Sequence, residues 1–446
     1  MNKRSESNEQ VKGRLSRRDF LRLLFSVSWS TLLSWLLPGS VDAKEGEAWP
    51  HDQENILDHI KEQDFQHGSS LATTIFPRKI MWEMAKLREA DGIWPDGEDQ
   101  SDWYNHKDMF LEGLDILQEA GINHGRLIIA PYEVTEDGGL TYNWEKMDYA
   151  IEAMAKRGID VELAVGPFNT AYDPGVRLFP LHQQMLQAEM IENGVNNVVI
   201  LGSDKPVSDP NLPESSNAIR KFGTDYIARI LERYGKDKRI STFYLGNEWP
   251  HTQGIEGISL EDGKKATLSV DQSYMIELID QIRKAKTDKK IALNTNLRAR
   301  ELPNDKSGFR ELLAKLNVGD IVGFDEYPER YTEFFDTYKD DVKAVRRDFP
   351  GLEIVFTELQ ASPWPPDEIV GQAWVKIFRE YPDLVTKYYE RQFPPTISSR
   401  IIDSKIKEIG IWGSEVIIIL KLLGYDFPVR MFKTMADKMS SDAIIN

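Results

Sequence analysis

The chain has no cysteine among its 446 residues. This absence excludes disulfides, thiolate nucleophiles, cysteine-ligated iron–sulfur clusters and covalently attached c-type haem. The phosphate-binding patterns G-x-G-x-x-G and G-x-x-x-x-G-K-[ST] are also missing, which argues against nucleotide-binding folds. The seven histidines show no metal-ligand spacing such as H-E-x-x-H, so the sequence predicts neither a metal site nor another cofactor.

Positive charge is scarce, because 55 lysines and arginines stand against 72 aspartates and glutamates, giving a formal net charge of −17. No basic stripe interrupts the acidic pattern. An acidic surface repels phosphate backbones and anionic lipid. We therefore expect no nucleic acid and no membrane surface among the partners, and a neutral or cationic substrate is easier to accommodate.

Apolar residues are plentiful: 41% of the chain is hydrophobic and 10% is aromatic. A chain of this length and composition can bury one large globular core or two ordinary ones. The composition excludes an intrinsically disordered protein and a bundle of membrane helices.

Residues 1–43 have the features of an export signal, with the segment SRRDFLRLL at 16–24 followed by a short apolar stretch. The pair Arg17 and Arg18 within a Ser-Arg-Arg-x-Phe-Leu core resembles the twin-arginine signals of bacteria and archaea, and the small residues at 41–43 resemble their cleavage site. The resemblance implies recognition by the twin-arginine export machinery and a periplasmic or extracellular location, without stable membrane insertion after cleavage.

An uncleaved membrane anchor is the alternative interpretation of this segment. The apolar stretch is short for a span of about 20 residues, and four serines and a threonine dilute it, which favours cleavage. The signal carries seven Lys/Arg and four Asp/Glu, a net of +3, so its removal changes the formal charge from −17 to −20.

From about residue 70, β-rich runs alternate with helical patterns in about eight β/α units. This alternation favours one closed (β/α)₈ barrel, an α/β fold of the TIM type with loop insertions at its C-terminal face, over an open doubly wound sheet. We therefore predict a signal peptide at 1–43, a polar leader at 44–69 and a catalytic barrel at 70–446. The predicted strands are 71–77, 124–133, 159–170, 240–247, 289–296, 320–328, 352–360 and 408–416.

Chemistry in such barrels lies at the carboxyl ends of the strands, and there this sequence is polar and aromatic. Glu248 and Glu358 each follow a buried apolar run, on the fourth and seventh predicted strands, and should approach one mouth from opposite walls. Two facing carboxyl groups suggest a catalytic acid and a nucleophile. The other candidates at strand ends are Arg126, Asn247, Trp249, Asn294, Asp325, Glu326, Tyr327 and Trp412.

The fourth-strand Asn-Glu pair and the seventh-strand Glu, with Tyr327 and Trp412 on strands six and eight, resemble clan A retaining (β/α)₈ glycoside hydrolases, of the family-5 and family-42 type, over about 70–416. The resemblance implies that Glu248 is the general acid and base and that Glu358 is the nucleophile. It also implies that Asn247 holds the sugar 2-hydroxyl.

The same resemblance implies that Tyr327 and Arg126 hydrogen-bond the nucleophile and that Trp412 forms the platform under the sugar. Trp249 is a further candidate for substrate contact at the mouth. The third-strand exit AVGPFNT lacks the histidine common in family-5 cellulases and mannanases, and DEYP differs from their usual motif, so the clan is better supported than any family. We expect four further aromatic residues either to surround the mouth of the barrel or to pack in the core: Trp94, Trp103, Phe168 and Trp364.

Retaining hydrolysis needs one carboxylic acid to protonate the leaving oxygen and one carboxylate to attack the anomeric carbon, about 5 to 5.5 Å apart. The sequence thus predicts an exported hydrolase of β-linked neutral poly- or oligosaccharides. Two alternatives from other classes stay open: a non-catalytic carbohydrate-binding protein on a degenerate barrel, and a metal-assisted hydrolase or lyase that uses Asp325, Glu326 and a nearby histidine. Simpler structural roles also stay open, namely a capping Glu248, a buried ion pair at Arg126 and core packing at Trp412.

Overall fold

Eight parallel strands close into a barrel in a computed structural model of the chain, which confirms the predicted fold class. The structure describes residues 52–63, 65, 68–90, 103–129, 131–135, 141–166, 198–201, 213–245, 254–259, 265–270, 272–295, 308–326, 335–360, 374–393 and 406–440.

All eight barrel strands overlap the predicted ones. Numbered in chain order with three strands outside the barrel, they are β1 Ser70–Ile75, β2 His124–Leu127, β3 Asp160–Ala164, β5 Ile240–Tyr244, β8 Lys290–Thr295, β9 Ile321–Glu326, β10 Glu353–Gln360 and β11 Glu408–Trp412. Around the barrel the order is β1-β11-β10-β9-β8-β5-β3-β2, so each strand pairs with its sequence neighbours within the barrel. Parallel pairing brings all eight carboxyl ends to one face.

Within the described residues, three further strands form a separate sheet in the insertions, and this sheet was not predicted from the sequence. They are β4 Val198–Leu201, β6 Gly254–Ser259 and β7 Lys265–Val270, with β7 in the centre. Strands β6 and β7 are antiparallel and follow each other across Asp262-Gly263, a dipeptide that favours tight hairpin turns. That dipeptide was the available sequence signal.

Helices cover the outside of the barrel and account for the second layer of the fold. In chain order they are α1 Gln53–Glu62, α2 Pro77–Ala90, α3 Lys107–Glu119, α4 Glu145–Ala155, α5 Pro213–Tyr234, α6 Gln272–Lys284, α7 Phe309–Leu313, α8 Phe335–Asp348, α9 Trp374–Glu380, α10 Pro382–Lys387, α11 Ser414–Leu422 and α12 Phe427–Ser440. Within the described ranges, no helix is both long and apolar enough to cross a bilayer.

Part of the polar leader forms α1, a helix that the sequence analysis did not predict. Asp52 caps its start by accepting the backbone N–H of Glu54 at 2.8 Å. Its apolar face, Ile56, Leu57 and Ile60, is buried in the main core. At least this part of the leader therefore packs firmly against the fold, next to α12.

Strand alternation divides the buried side chains into an outer and an inner set. The outer set packs between strands and helices in one large apolar core. The inner set contains a small apolar cluster of Tyr244, Ala292, Ile321, Val355 and Ala164. Polar and charged side chains above and below this cluster occupy the rest of the barrel interior, and they form the sites described next.

Candidate active site

Strand β10 contains a β-bulge that orients its catalytic candidate. Phe356 pairs with Phe324 on β9, and Glu358 pairs with the very next residue, Asp325, so β10 holds one extra residue. The bulge lets both Thr357 and Glu358 make contacts inside the barrel, whereas Leu359 returns to the outer core. Glu358 thus lies in the interior near the carboxyl end of the strand.

Strand β11 approaches this bulge closely, and a glycine makes the approach possible. A Cβ at Gly410 would lie within 2.7 Å of the carbonyl oxygen of Phe356. No larger residue fits there without moving the backbone of β10. Gly410 therefore supports the local geometry that places Glu358.

Arg126 holds the carboxylate of Glu358. Its Nη2 lies 2.5 Å from Glu358 Oε1, and the same nitrogen donates to Thr74 Oγ1 at 2.7 Å. Both charged side chains are almost completely buried, at 3% and 1% exposure. The guanidinium also lies 5.3 Å from the centre of the Tyr244 ring. Charge-assisted bonds of this kind fix the orientation of a carboxylate oxygen.

The expected contact between Arg126 and Glu358 is therefore present. A buried ion pair was also the structural alternative considered for Arg126, and the contact is compatible with both interpretations. The catalytic roles of the two residues stay predictions.

Asp325 sits beside the nucleophile candidate in a fully bonded position. It accepts from Asn294 Nδ2 at 2.9 Å and from Thr357 Oγ1 at 2.7 Å. Alternation on β9 directs Asp325 into the barrel. Both carboxylate oxygens serve neighbouring strands, which makes Asp325 a brace between β8, β9 and β10.

Trp412 lies at the end of β11, half-buried at the same face of the barrel. Phe76 packs edge-on against its ring with centroids 6.4 Å apart. Lys79 Nζ lies 5.0 Å from the ring centre and pairs with the buried carboxylate of Glu415. The indole is thereby fixed from the side and from one face. This placement fits the predicted sugar platform.

Behind Trp412 lies a buried pair of acids, Glu83 on α2 and Glu415 on α11. Burial, reinforced by the charge of Glu415, raises the pKa of Glu83 to about 8, against the opposing effects of Lys79 and of the Trp374 N–H. That N–H donates to Glu83 Oε2 at 3.0 Å. Glu83 is therefore protonated in the fold at neutral pH.

In the parent protein, the free energy of unfolding should fall as pH rises because of Glu83, and Glu83→Gln should abolish this fall. The unfolded state releases the Glu83 proton near pH 4.5, whereas the folded state keeps it up to about pH 8. The free energy of unfolding therefore falls between these two pH values and levels off above them. Between pH 5 and 8 the variant should gain about 1 to 4 kcal/mol relative to the parent. Urea unfolding across this range measures the difference.

The same substitution at Glu112, which pairs at the surface with Arg88, controls for the loss of one negative charge. A parallel pH dependence of parent and Glu83→Gln would contradict the assignment of a protonated Glu83.

Several predicted site residues lie outside the described residues. They are Asn247, Glu248, Trp249 and Tyr327, together with the loop aromatics Trp94, Phe168 and Trp364. For Glu326 the backbone is described and the side chain is not. Trp103 belongs to the core, because it is fully buried and donates from Nε1 to Glu133 Oε1 at 2.8 Å. The core alternative was therefore the correct one for Trp103.

The residues that support the nucleophile candidate were not predicted from the sequence: Thr74, Tyr244, Asn294 in its bonded role, and Thr357. Their common signal is a polar side chain at an inward position of an otherwise apolar strand. The hydroxyl of Tyr244 is buried without a hydrogen-bond partner among the residues that the structure describes. Such inward polar residues can be recognised in a sequence only when it is known which residues of each strand face the barrel interior.

The arrangement holds one carboxylate, that of Glu358, oriented by a guanidinium near the carboxyl ends of the barrel strands. No family model matches the chain, and no curated protein matches it. Solved structures do match. A cold-adapted β-galactosidase from Rahnella sp. R3 matches at 12% identity over 82% of this chain and 58% of that one, with a TM-score of 0.45.

Two further solved structures show the same level of likeness. A β-galactosidase from Bacillus circulans sp. alkalophilus has 13% identity, coverages of 78% and 50%, and a TM-score of 0.43. An exo-β-1,4-mannosidase from Opitutaceae bacterium strain TAV5 has 12% identity, coverages of 79% and 52%, and a TM-score of 0.40. The chain spans about half the length of these proteins. At these scores the resemblance assigns no activity to this chain.

Proposed function

We propose that the protein is an exported retaining glycoside hydrolase that cleaves β-linked neutral poly- or oligosaccharides. One observation carries the proposal: a buried carboxylate, Glu358, is oriented by Arg126 at the carboxyl end of a barrel strand. A carboxylate in this place is suited to attack a carbon atom of a substrate bound in the mouth. The twin-arginine motif at 16–24 supports export.

The proposed reaction proceeds in two displacements. Glu358 attacks the anomeric carbon while Glu248 protonates the departing glycosidic oxygen, giving a covalent glycosyl ester. Glu248 then removes a proton from water, which attacks the same carbon and releases Glu358. Two inversions restore the β configuration, and no metal takes part in either step.

The positions along the barrel support a pairing of these two residues. Strand β5 ends at Tyr244, four residues before Glu248, and β8 and β9 separate it from β10. Trp412 provides an aromatic face for the sugar in the same mouth. Arg126 neutralises the charge of Glu358 within the buried interior.

Hydrolysis assays test this proposal. The mature protein is incubated with aryl β-glycosides of glucose, galactose and mannose and with soluble β-glucans, mannans and galactans, and NMR records the anomer formed first. We expect release of a β-anomer from at least one substrate. An initially formed α-anomer would exclude the double displacement, and saturable sugar binding without turnover would favour a non-catalytic carbohydrate-binding protein.

A further inference from the structure

A second cluster of charged side chains lies at the opposite end of the barrel interior. His124, Glu162 and Glu408 come from β2, β3 and β11; His124 and Glu408 are the first residues of their strands, and Glu162 is the third residue of β3. Their potential ligand atoms all lie within 4.8 Å of one another. The cluster is separate from Glu358, which lies near the carboxyl end of β10.

The imidazole of His124 is oriented so that one nitrogen faces both acids. Its Nδ1 lies 3.0 Å from Glu408 Oε2 and 3.9 Å from Glu162 Oε1. Its Nε2 lies 3.0 Å from Ser70 Oγ, which fixes the ring. Ionised carboxylates offer acceptors only, so a hydrogen-bond donor or a cation is required where Nδ1 meets them. Either a proton on Nδ1 or a bound cation can meet this requirement.

We propose that His124, Glu162 and Glu408 bind a divalent transition-metal ion of the zinc type at the amino-terminal mouth of the barrel. One imidazole nitrogen and two carboxylate oxygens are ligands that such ions accept, with positions left for water. Bonds of about 2.0 to 2.2 Å in a tetrahedral site place ligand atoms about 3.3 to 3.6 Å apart. The two distances from Nδ1 lie on either side of that range, so small side-chain movements suffice.

The charge of the cluster is compatible with a divalent ion in this position. Glu162 and Glu408 are buried at 2% and 6% exposure, so two negative charges are held in a region of low polarity. A cationic His124 balances one of these charges and a divalent ion balances both, while Arg126 also acts electrostatically on Glu162. Arg126, in the layer above, directs its Nη2 to Glu358 and Thr74.

Two further features suit a metal site. The hydroxyl of Tyr244, 99% buried and without a hydrogen-bond partner in the described part of the chain, faces the same interior and interacts electrostatically with Glu162 and Glu408. Ser70 can accept a hydrogen bond from Nε2–H and so hold the tautomer in which Nδ1 is the ligand. The side chain of His124 is 24% exposed, which provides an entry path for the ion.

Zinc binding by the mature protein tests the proposal. After treatment with chelator and dialysis, zinc chloride is titrated into the protein at pH 8 by calorimetry in two buffers of different ionisation enthalpy. We expect one saturable site and release of a proton, because the ion displaces the proton on Nδ1. Bound zinc should also raise Tm.

Isosteric and charge-removing variants locate the site. Glu408→Gln and His124→Gln should each lower zinc affinity by about 100-fold or more, since even outer contacts to a metal site contribute 10- to 100-fold. Glu112→Gln is the control: Glu112 pairs with Arg88 at the surface, and its loss should leave zinc affinity within a few-fold of the parent.

Equal zinc affinity in parent and Glu408→Gln would overturn the proposal, as would the absence of a saturable site in the parent. The second outcome means that a proton alone holds the three groups together. Should the variants fail to fold, stoichiometry and proton release in the parent still decide. Activity toward glycosides is not a readout, so the proposed hydrolase and the proposed metal site can fail independently.

Discussion

Glu358→Gln is expected to lower the turnover of an aryl β-glycoside by roughly 10³-fold or more, because an amide cannot form the covalent glycosyl ester. Glutamine has nearly the same shape, and its Oε1 can still accept a hydrogen bond from Arg126. The barrel should therefore keep its fold, which circular dichroism can verify. The measurement is kcat/KM for the best substrate of the panel.

Two additions to this experiment separate a lost nucleophile from a damaged fold. Glu353→Gln, on the same strand at the opposite end, should keep full activity, because Glu353 bonds Lys290 at the barrel base. In Glu358→Ala, added azide should take the vacated space and attack the anomeric carbon, giving an α-glycosyl azide from a β-glycoside. Undiminished activity in Glu358→Gln would remove Glu358 from the reaction.

Arg126→Met is expected to lower the free energy of unfolding by about 3 to 5 kcal/mol, because it leaves the buried carboxylate of Glu358 without its cation. The variant should also lose glycosidase activity. The exposed pair of Arg229 and Glu232 provides the contrast: Arg229→Met should cost less than about 1 kcal/mol. Urea unfolding at neutral pH measures both.

A double-mutant cycle tests whether the cost arises from the pair. The combination of Arg126→Met with Glu358→Gln should be less destabilising than the sum of the two single changes, because position 358 then carries no charge that needs Arg126 as its partner. Strictly additive effects would show that Arg126 stabilises the fold through its packing and its bond to Thr74 instead.

The barrel was predictable from the sequence because its signal is repeated eight times. Each unit supplies an apolar strand and an amphipathic helix, and errors in one unit do not change the count. The separate sheet of β4, β6 and β7 has no such repetition, so only the Asp262-Gly263 dipeptide indicated it. Helix α1 was missed because its three buried residues are set among many polar ones.

Glu358 and Arg126 were predictable because each is a charged residue near the carboxyl end of a recognisable apolar strand. The residues that hold them were not, since hydrogen bonds such as Asn294 to Asp325 join strands that lie far apart in the chain. The cluster of His124, Glu162 and Glu408 was not predicted for the same reason. Metal-ligand spacing within one segment is visible in a sequence, whereas three residues from β2, β3 and β11 meet only when the barrel closes.

The bulge in β10 has a consequence for loop exchange in this scaffold. Side chains before it and after it follow opposite parities of residue number: Val355 faces inward before the bulge, and so does Glu358 after it. Straightening the bulge while keeping all its residues would leave Thr357 facing inward and rotate the carboxylate of Glu358 toward the helices. A grafted mouth loop must therefore preserve the bulge between Phe356 and Leu359, even where it changes the identity of the neighbouring residues.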